Sequence, residues 1–256
     1  MSEVTNGSRG SRPLAESLQI AGEKLELPPD HPAVLEYVRL ERQLEEAQKD
    51  PLTGFWLPGP GFRKLEERMS VVENTLAGFN GADAPNALMV VVLDVEGLHY
   101  TNNWYGQLGG DARLKIAGRE LREVAGIVRS SSRAHDRRSV LRGEESTREP
   151  DLLIRTGGDE MMAAMSFHEK DDNTKEAMTE RVTQRLSQNK AQNAPNLRIL
   201  YGVGFFTPGT GQTPEDLYHS AEPKARMSQR QKLARPIFKI VRLGLGQYRP
   251  PARGEL

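Results

Sequence analysis

"DLLIRTGGDEMMAAMSF", Asp151 to Phe167, sets two apolar runs on either side of Gly157-Gly158-Asp159-Glu160. Strand-like runs joined by Gly-Gly or Gly-Asp are the signature of a tight β-hairpin, because the primed turns need positive φ. A hairpin this apolar needs a sheet to lie in, so the stretch points to a β-containing fold. Its tip has two readings. Asp159 and Glu160 are solvated turn residues, or they are part of a site that holds a cation and needs a carboxylate from elsewhere in the chain.

Such a carboxylate ends the run "ALMVVVLDV", Ala87 to Val95. The run is continuously apolar and β-branched, which predicts a buried strand. Asp94 at its end is costly to bury unless it is paired, hydrogen-bonded or bound to a cation. If this strand is central and the hairpin lies in the same sheet, Asp94 reaches Asp159 and Glu160. Carboxylate oxygens with a strand-end carbonyl make a hard-oxygen site suited to Mg²⁺, which also takes ligands from substrate phosphates. Such sites clamp the attacking and leaving oxygens of phosphoryl transfer.

Helical periodicity fills the intervals. Helices are expected over 62–78, 110–128, 174–192 and 214–232, and a further strand in "NLRILYGVGFF". The order resembles a βαββαβ core, an α+β fold whose antiparallel sheet carries helices on one face. Residues 1–32 are rich in Ser, Gly, Pro and charge and are expected to be mostly disordered. "PAVLEYVRLERQLEEAQK", Pro32 to Lys49, places Val34, Tyr37, Val38 and Leu44 near helical spacing. It is a helix packed on the following domain or a short stalk that pairs with a second chain. "RSSSRAHDRRSVLRGEESTREP" breaks all periodicity and reads as a basic inserted loop over 129–149. "PIFKIVRLGL" is an edge strand or a basic amphipathic segment, ahead of a tail over 241–256.

Composition narrows the function classes. Lys+Arg and Asp+Glu balance at 35 each in 256 residues, which argues against a globally basic nucleic-acid binder. The absence of cysteine excludes disulfides, zinc-thiolate sites and thiol nucleophiles. His31, His99, His135, His168 and His219 have no metal-ligand spacing. No apolar run is long enough to span a bilayer, and "MSEVTNGSRGSRP" lacks the apolar core of a secretory signal. A soluble, cytoplasmic protein is expected.

After Asp94 the chain turns polar and Gly-rich: "VEGLHYTNNWYGQLGGD". Asn102 and Asp111 offer the donors and acceptors that match a guanine edge. Equally, Asn102-Asn103 and Gly109-Gly110 read as turn residues in a loop opening a helix, with Asp111 as its N-cap.

Together "DPLTGF" (Asp50 to Phe55), "LDVEGLHYTNNWYGQLGGD" (Leu93 to Asp111) and "RTGGDEM" (Arg155 to Met161) resemble the three signature segments of the GGDEF family, the diguanylate cyclases, over about residues 50–233. The resemblance implies a fold like class III nucleotide cyclases and polymerase palms. It implies condensation of two GTP into cyclic di-GMP with Mg²⁺ or Mn²⁺, one GTP in each half of a homodimer. By position, Asp94 and the Val95 carbonyl resemble metal ligands. Asp159 resembles the metal ligand that is also the base for the 3′-hydroxyl, and Glu160 the second acid of the turn. Gly157 and Gly158 would let the backbone approach phosphates. Asn102 and Asp111 resemble the guanine readers, and Arg148 with Asp151 an inhibitory product site for cyclic di-GMP. The chain also departs from the pattern. Leu98-His99 replaces an aromatic-Lys pair, Met161 replaces the final Phe, and "LPGPG" (Leu57 to Gly61) replaces Asn-Arg-Arg. Gln229 and Leu233 stand where triphosphate-binding charges are usual, with Arg226, Arg230 and Lys232 nearby. Loss of one phosphate-stabilising cation costs on the order of 10²-fold in rate. A weak or inactive domain that binds GTP or cyclic di-GMP is therefore the alternative expectation.

Overall fold

The computed structural model describes residues 13–81, 84–133, 151–170, 174–192 and 198–222. Four strands, β1 (Ala87–Val95), β2 (Leu152–Ile154), β3 (Glu160–Phe167) and β4 (Ile199–Phe205), form one antiparallel sheet in the order β2-β3-β1-β4. The helices are α1 (Leu14–Leu25), α2 (Pro32–Ala47), α3 (Pro58–Leu76), α4 (Leu98–Arg133), α5 (Lys175–Gln192) and α6 over 214–222. From β1 onward this is the expected βαββαβ order in an α+β fold, with β1 central beside the hairpin.

Helices cover both faces of the sheet, not one. Met89, Val91, Leu93 and Val95 face Leu114, Leu121 and Val124 of α4 and Met178 and Val182 of α5. Leu88, Val90 and Val92 face Leu65, Met69 and Val72 of α3 and Leu217 and Ala221 of α6. The unbroken apolar run of β1 is the physical reason, since a one-faced sheet would alternate apolar and polar residues. Full burial of each such side chain stabilises by about 1.5–3 kcal/mol.

Residues 14–25, expected to lack regular structure, form α1. Leu18 and Ala21 pack on Val34 and Val38 of α2, and Glu26 closes the helix in the left-handed region at φ 55°. Two apolar positions, Leu18 and Ala21, suffice because the partner is another helix rather than a domain core, while Leu14 and Leu25 stay exposed. α2 begins at the predicted Pro32 and ends at Ala47, two residues short of the predicted Lys49, and its packing partner is α1; Leu40 and Leu44 are exposed. α3 starts four residues earlier than predicted. Pro58 tolerates the first helical position, where the N–H would be unsatisfied anyway. Gly61 then permits close approach to the sheet edge: an added Cβ there would lie 2.7 Å from Ile154 Cγ2. The end of the predicted insertion, from 134 on, lies outside the described residues, as do Arg148 and everything beyond 222. Residues 129–133 continue α4.

Candidate functional site

The β1–β3 register assembles the carboxylates. Asp94 lies directly opposite Glu160, and Val95 N–H donates to the Asp159 carbonyl at 3.0 Å. Side chains alternate along a strand, so Asp94 shares the α3/α6 face with Val92, and Glu160 shares it with Met162. Directly opposed positions on one face have Cβ atoms about 4.5–5.5 Å apart, where like charges repel unless something positive stands between them. Among the described residues no three carboxylate or histidine side chains converge as a metal-ligand cluster. Two opposed carboxylates still fit Mg²⁺, which commonly takes one or two protein carboxylates and completes its shell with water and substrate phosphates.

The turn that carries Asp159 is not the predicted primed turn. Neither Gly157 nor Gly158 has positive φ. Instead Thr156 and Gly157 N–H both donate to the Glu160 carbonyl, at 3.1 and 3.2 Å, which makes a wider loop. The glycines serve contact rather than backbone handedness. A Cβ on Gly157 would lie 3.1 Å from Glu160 Oε2, whereas one on Gly158 would meet nothing within 4 Å. Gly158 therefore faces open space beside the acids, where a ligand can approach the bare backbone.

Arg155, which the sequence reading passed over, clamps this turn. Its guanidinium donates to the Gly158 carbonyl at 2.9 Å and the Gly157 carbonyl at 3.3 Å, and pairs with Asp50 Oδ1 at 2.8 Å. Asp50 Oδ2 in turn accepts from Thr53 N–H at 2.8 Å and Thr53 Oγ1 at 2.5 Å. Gly54, at φ 70°, completes that loop. Trp56 N–H donates to the Leu153 carbonyl and Arg155 N–H to the Trp56 carbonyl, both at 2.9 Å, so "DPLTGFW" also covers the edge of β2. Burial pushes the Asp50 carboxyl up, but the Thr53 hydrogen bonds and Arg155 outweigh it and hold it below its usual range. The signal available in the sequence was the Asp in "DPLTGF" and an Arg at a strand end, with no partner named for either.

Tyr218 of α6 is the other residue missed. Its phenol donates to Glu160 Oε2 at 3.0 Å from a position only 8% exposed. Burial, then the neighbouring Glu160 charge, pushes the phenol above its ordinary range.

The predicted base readers sit differently from expectation. Asn102 and Asn103 are helical, not in a loop, because α4 begins at Leu98 and is interrupted only at Gly106, with φ 71° and ψ −179°. Leu98 and Thr101 are buried, and Thr101 N–H and Oγ1 hold the Gly97 carbonyl, which anchors this opening turn. Asp111 lies five residues past the break, inside the helix rather than at an N-cap. Asn102 packs on Gly110, where a Cβ would come within 1.9 Å of Asn102 Oδ1. That oxygen is buried without a hydrogen-bond partner among the described residues. His99 is exposed, its Nε2 3.1 Å from Asn103 Nδ2. Tyr100, Trp104 and Leu108 are exposed beside it. Asp151 stands just ahead of β2, half-buried.

The sequence profile described as "Diguanylate cyclase, GGDEF domain" matches residues 140–234. A comparison with curated protein sequences gives no match. Among solved structures, a sensory box/GGDEF family protein from Caulobacter crescentus CB15 is 19% identical with a TM-score of 0.50, covering 72% of this chain and 99% of that one. The coiled coil and GGDEF domain of DgcB from Caulobacter crescentus, solved with c-di-GMP, is 14% identical with a TM-score of 0.55, covering 85% and 95%. At these identities the two structures establish a common fold. No described helix is long and apolar enough to cross a membrane.

Proposed function

We propose, on the profile match over residues 140–234 and the carboxylates at the end of β1, that the chain is a GGDEF-domain protein that condenses two GTP into cyclic di-GMP, with each half of a homodimer holding one GTP. In each step the 3′-hydroxyl oxygen of one GTP bonds to the α-phosphorus of the other. The bond to pyrophosphate breaks, and the hydroxyl proton passes to a base. The observation that carries this reading is the opposition of Asp94 and Glu160 on one face of β1 and β3, with Asp159 at the open turn beside them.

Asp94, the Val95 carbonyl, Asp159 and Glu160 would hold Mg²⁺ or Mn²⁺. When bound, the ion neutralises phosphate charge and lowers the barrier to displacement. Asp159 accepts the proton of the attacking hydroxyl, as a carboxylate within reach of it can. Gly157 and Gly158 leave the backbone bare where the phosphates lie. Asn102 and Asp111 read the guanine. His99 stands where the resemblance expects a Lys to meet phosphate charge. Arg148 with Asp151 would bind the product and restrain turnover.

The test is incubation of the purified chain with GTP and Mg²⁺ at a concentration that favours dimers, beside Asp159→Asn. Cyclic di-GMP from the native chain alone supports the reading. GTP or cyclic di-GMP binding without product would favour a binding domain instead, for which the exposed His99 in place of a fixed cation is the supporting observation.

A further inference from the structure

Glu160 is confined on two sides. Gly157 backs its Oε2, so closely that a Cβ there would lie 3.1 Å away. Tyr218 donates to the same oxygen at 3.0 Å. Tyr218 is itself fixed: it is 8% exposed in the apolar cluster on the α3/α6 face, edge-on to Phe62 with ring centroids 6.0 Å apart. A glutamate on a strand end otherwise has three rotatable bonds and several accessible orientations. Here one oxygen is engaged, and the other remains for a cation.

We propose that Tyr218 is a positioning residue that holds the Glu160 carboxylate in the orientation in which it binds the divalent cation opposite Asp94. Tyr218 touches neither substrate nor reacting atoms. It acts through Glu160, as the hydrogen-bonded partners of metal-binding carboxylates generally do, and loss of such a partner costs about 10–100-fold in metal affinity. This inference rests on the proposed function, in that it takes Glu160 as a cation ligand.

The experiment titrates Mn²⁺ into the full chain in the presence of a non-hydrolysable GTP analogue. Free Mn²⁺ is followed by electron paramagnetic resonance, so no turnover is needed. Four proteins are compared: native, Tyr218→Phe, Glu160→Gln and the double variant. Tyr218→Phe removes one oxygen and keeps the ring against Phe62. Its Mn²⁺ affinity should fall about tenfold. Glu160→Gln should fall further, and adding Tyr218→Phe to it should change nothing more, because the two act as one unit. A purely structural loss would lower affinity by the same factor in both backgrounds. Equal factors, or native affinity in Tyr218→Phe, overturn the inference while a native chain that binds Mn²⁺ and forms product leaves the proposed function standing. A native chain that binds no Mn²⁺ beside the analogue overturns both.

Discussion

The turn between β2 and β3 and the opening of α4 flank the same end of β1, and they are built in contrasting ways. At the turn, Arg155 ties the Gly157 and Gly158 carbonyls to Asp50, and Tyr218 ties Glu160 to α6. At the opening of α4, Asn102 Oδ1 is buried without a partner among the described residues, His99 is exposed, and Tyr100, Trp104 and Leu108 stand in solvent. The first region is organised before any ligand arrives. The second, on the proposed function, leaves hydrogen bonding and charge for a ligand to complete. If the chain carries the proposed phosphoryl transfer, such a division assigns the rate of the chemical step to the turn and the recognition of substrate to α4, because preorganised groups act on the transition state while adaptable ones act on binding.

The largest effect should come from the turn. Asp159→Asn keeps the shape of the side chain and removes its capacity to take a proton. Product formation should fall by about 10²–10⁴-fold, the usual contribution of a general base. The urea midpoint should stay near native, since no hydrogen bond of the Asp159 side chain supports the fold in the described structure. A variant with near-native turnover would break the contrast at its strongest point.

The clamp comes next. Arg155→Ala leaves Asp50 charged, buried and without its ion partner. Breaking a buried pair costs about 3 kcal/mol, at the low end of the usual range because the Arg155 side chain keeps 18% exposure. Urea denaturation measures it, and a shift below 1 kcal/mol would show that the turn is not held from this side. Acid gives an independent check. The folded Asp50 carboxyl titrates below its ordinary value of 3.8. Its stabilisation is therefore complete above that pH and is lost as pH falls through the lower folded value. Asp50→Asn should remove that portion of the acid dependence and leave the stability curve above pH 5 parallel to native.

The same contrast explains what the sequence disclosed. The strand-end Asp94 and the acids of the turn were legible because an apolar run of period-free β-branched residues announces a central strand, and one central strand beside one hairpin leaves few registers. The glycine reading was misleading at the turn. Gly157-Gly158 suggested positive φ, but the structure uses Gly157 to seat Glu160, a contact that no local pattern encodes. Tyr218 was illegible for a related reason. It lies 58 residues from Glu160 in the chain, and only the packing of α6 on the sheet brings them together. The opening of α4 misled in the opposite direction. Asn and Gly in a polar stretch read as a loop, whereas two buried residues, Leu98 and Thr101, were enough to hold a helical turn. α1 escaped notice because its short apolar stripe meets another short helix.

At α4, charge is the first quantity to change. His99→Lys places a permanent cation where the resemblance expects one. GTP turnover should rise about tenfold, less than the 10²–10³-fold associated with a preorganised buried donor, since position 99 is exposed and screened by solvent. The rise should be seen in kcat/KM at low ionic strength and shrink with added salt. Unchanged turnover would mean that phosphate charge already comes from elsewhere, and the incomplete character assigned to this region would fail.

The smallest expected effect is the most discriminating. An alanine at Gly110 sets its Cβ within 1.9 Å of the present position of Asn102 Oδ1. The atom it meets is the end of a side chain, so Asn102 rotates away and the helix survives. On the proposed reading, in which the Asn102 amide contacts the base, one hydrogen bond is lost, about 1 kcal/mol, or five- to tenfold in affinity. KM for GTP should rise by that factor with kcat nearly unchanged, which is the pattern of a group used equally in ground and transition states. ITP, which lacks the N2 amino donor of GTP, sharpens the measurement. If the Asn102 amide receives that donor, the native chain prefers GTP over ITP and Gly110→Ala brings the two closer together. A preference that survives Gly110→Ala unaltered would move guanine recognition away from Asn102. The buried oxygen would then be a cost of packing α4 against itself, and the division between a preset turn and an unfinished helix would rest on charge alone.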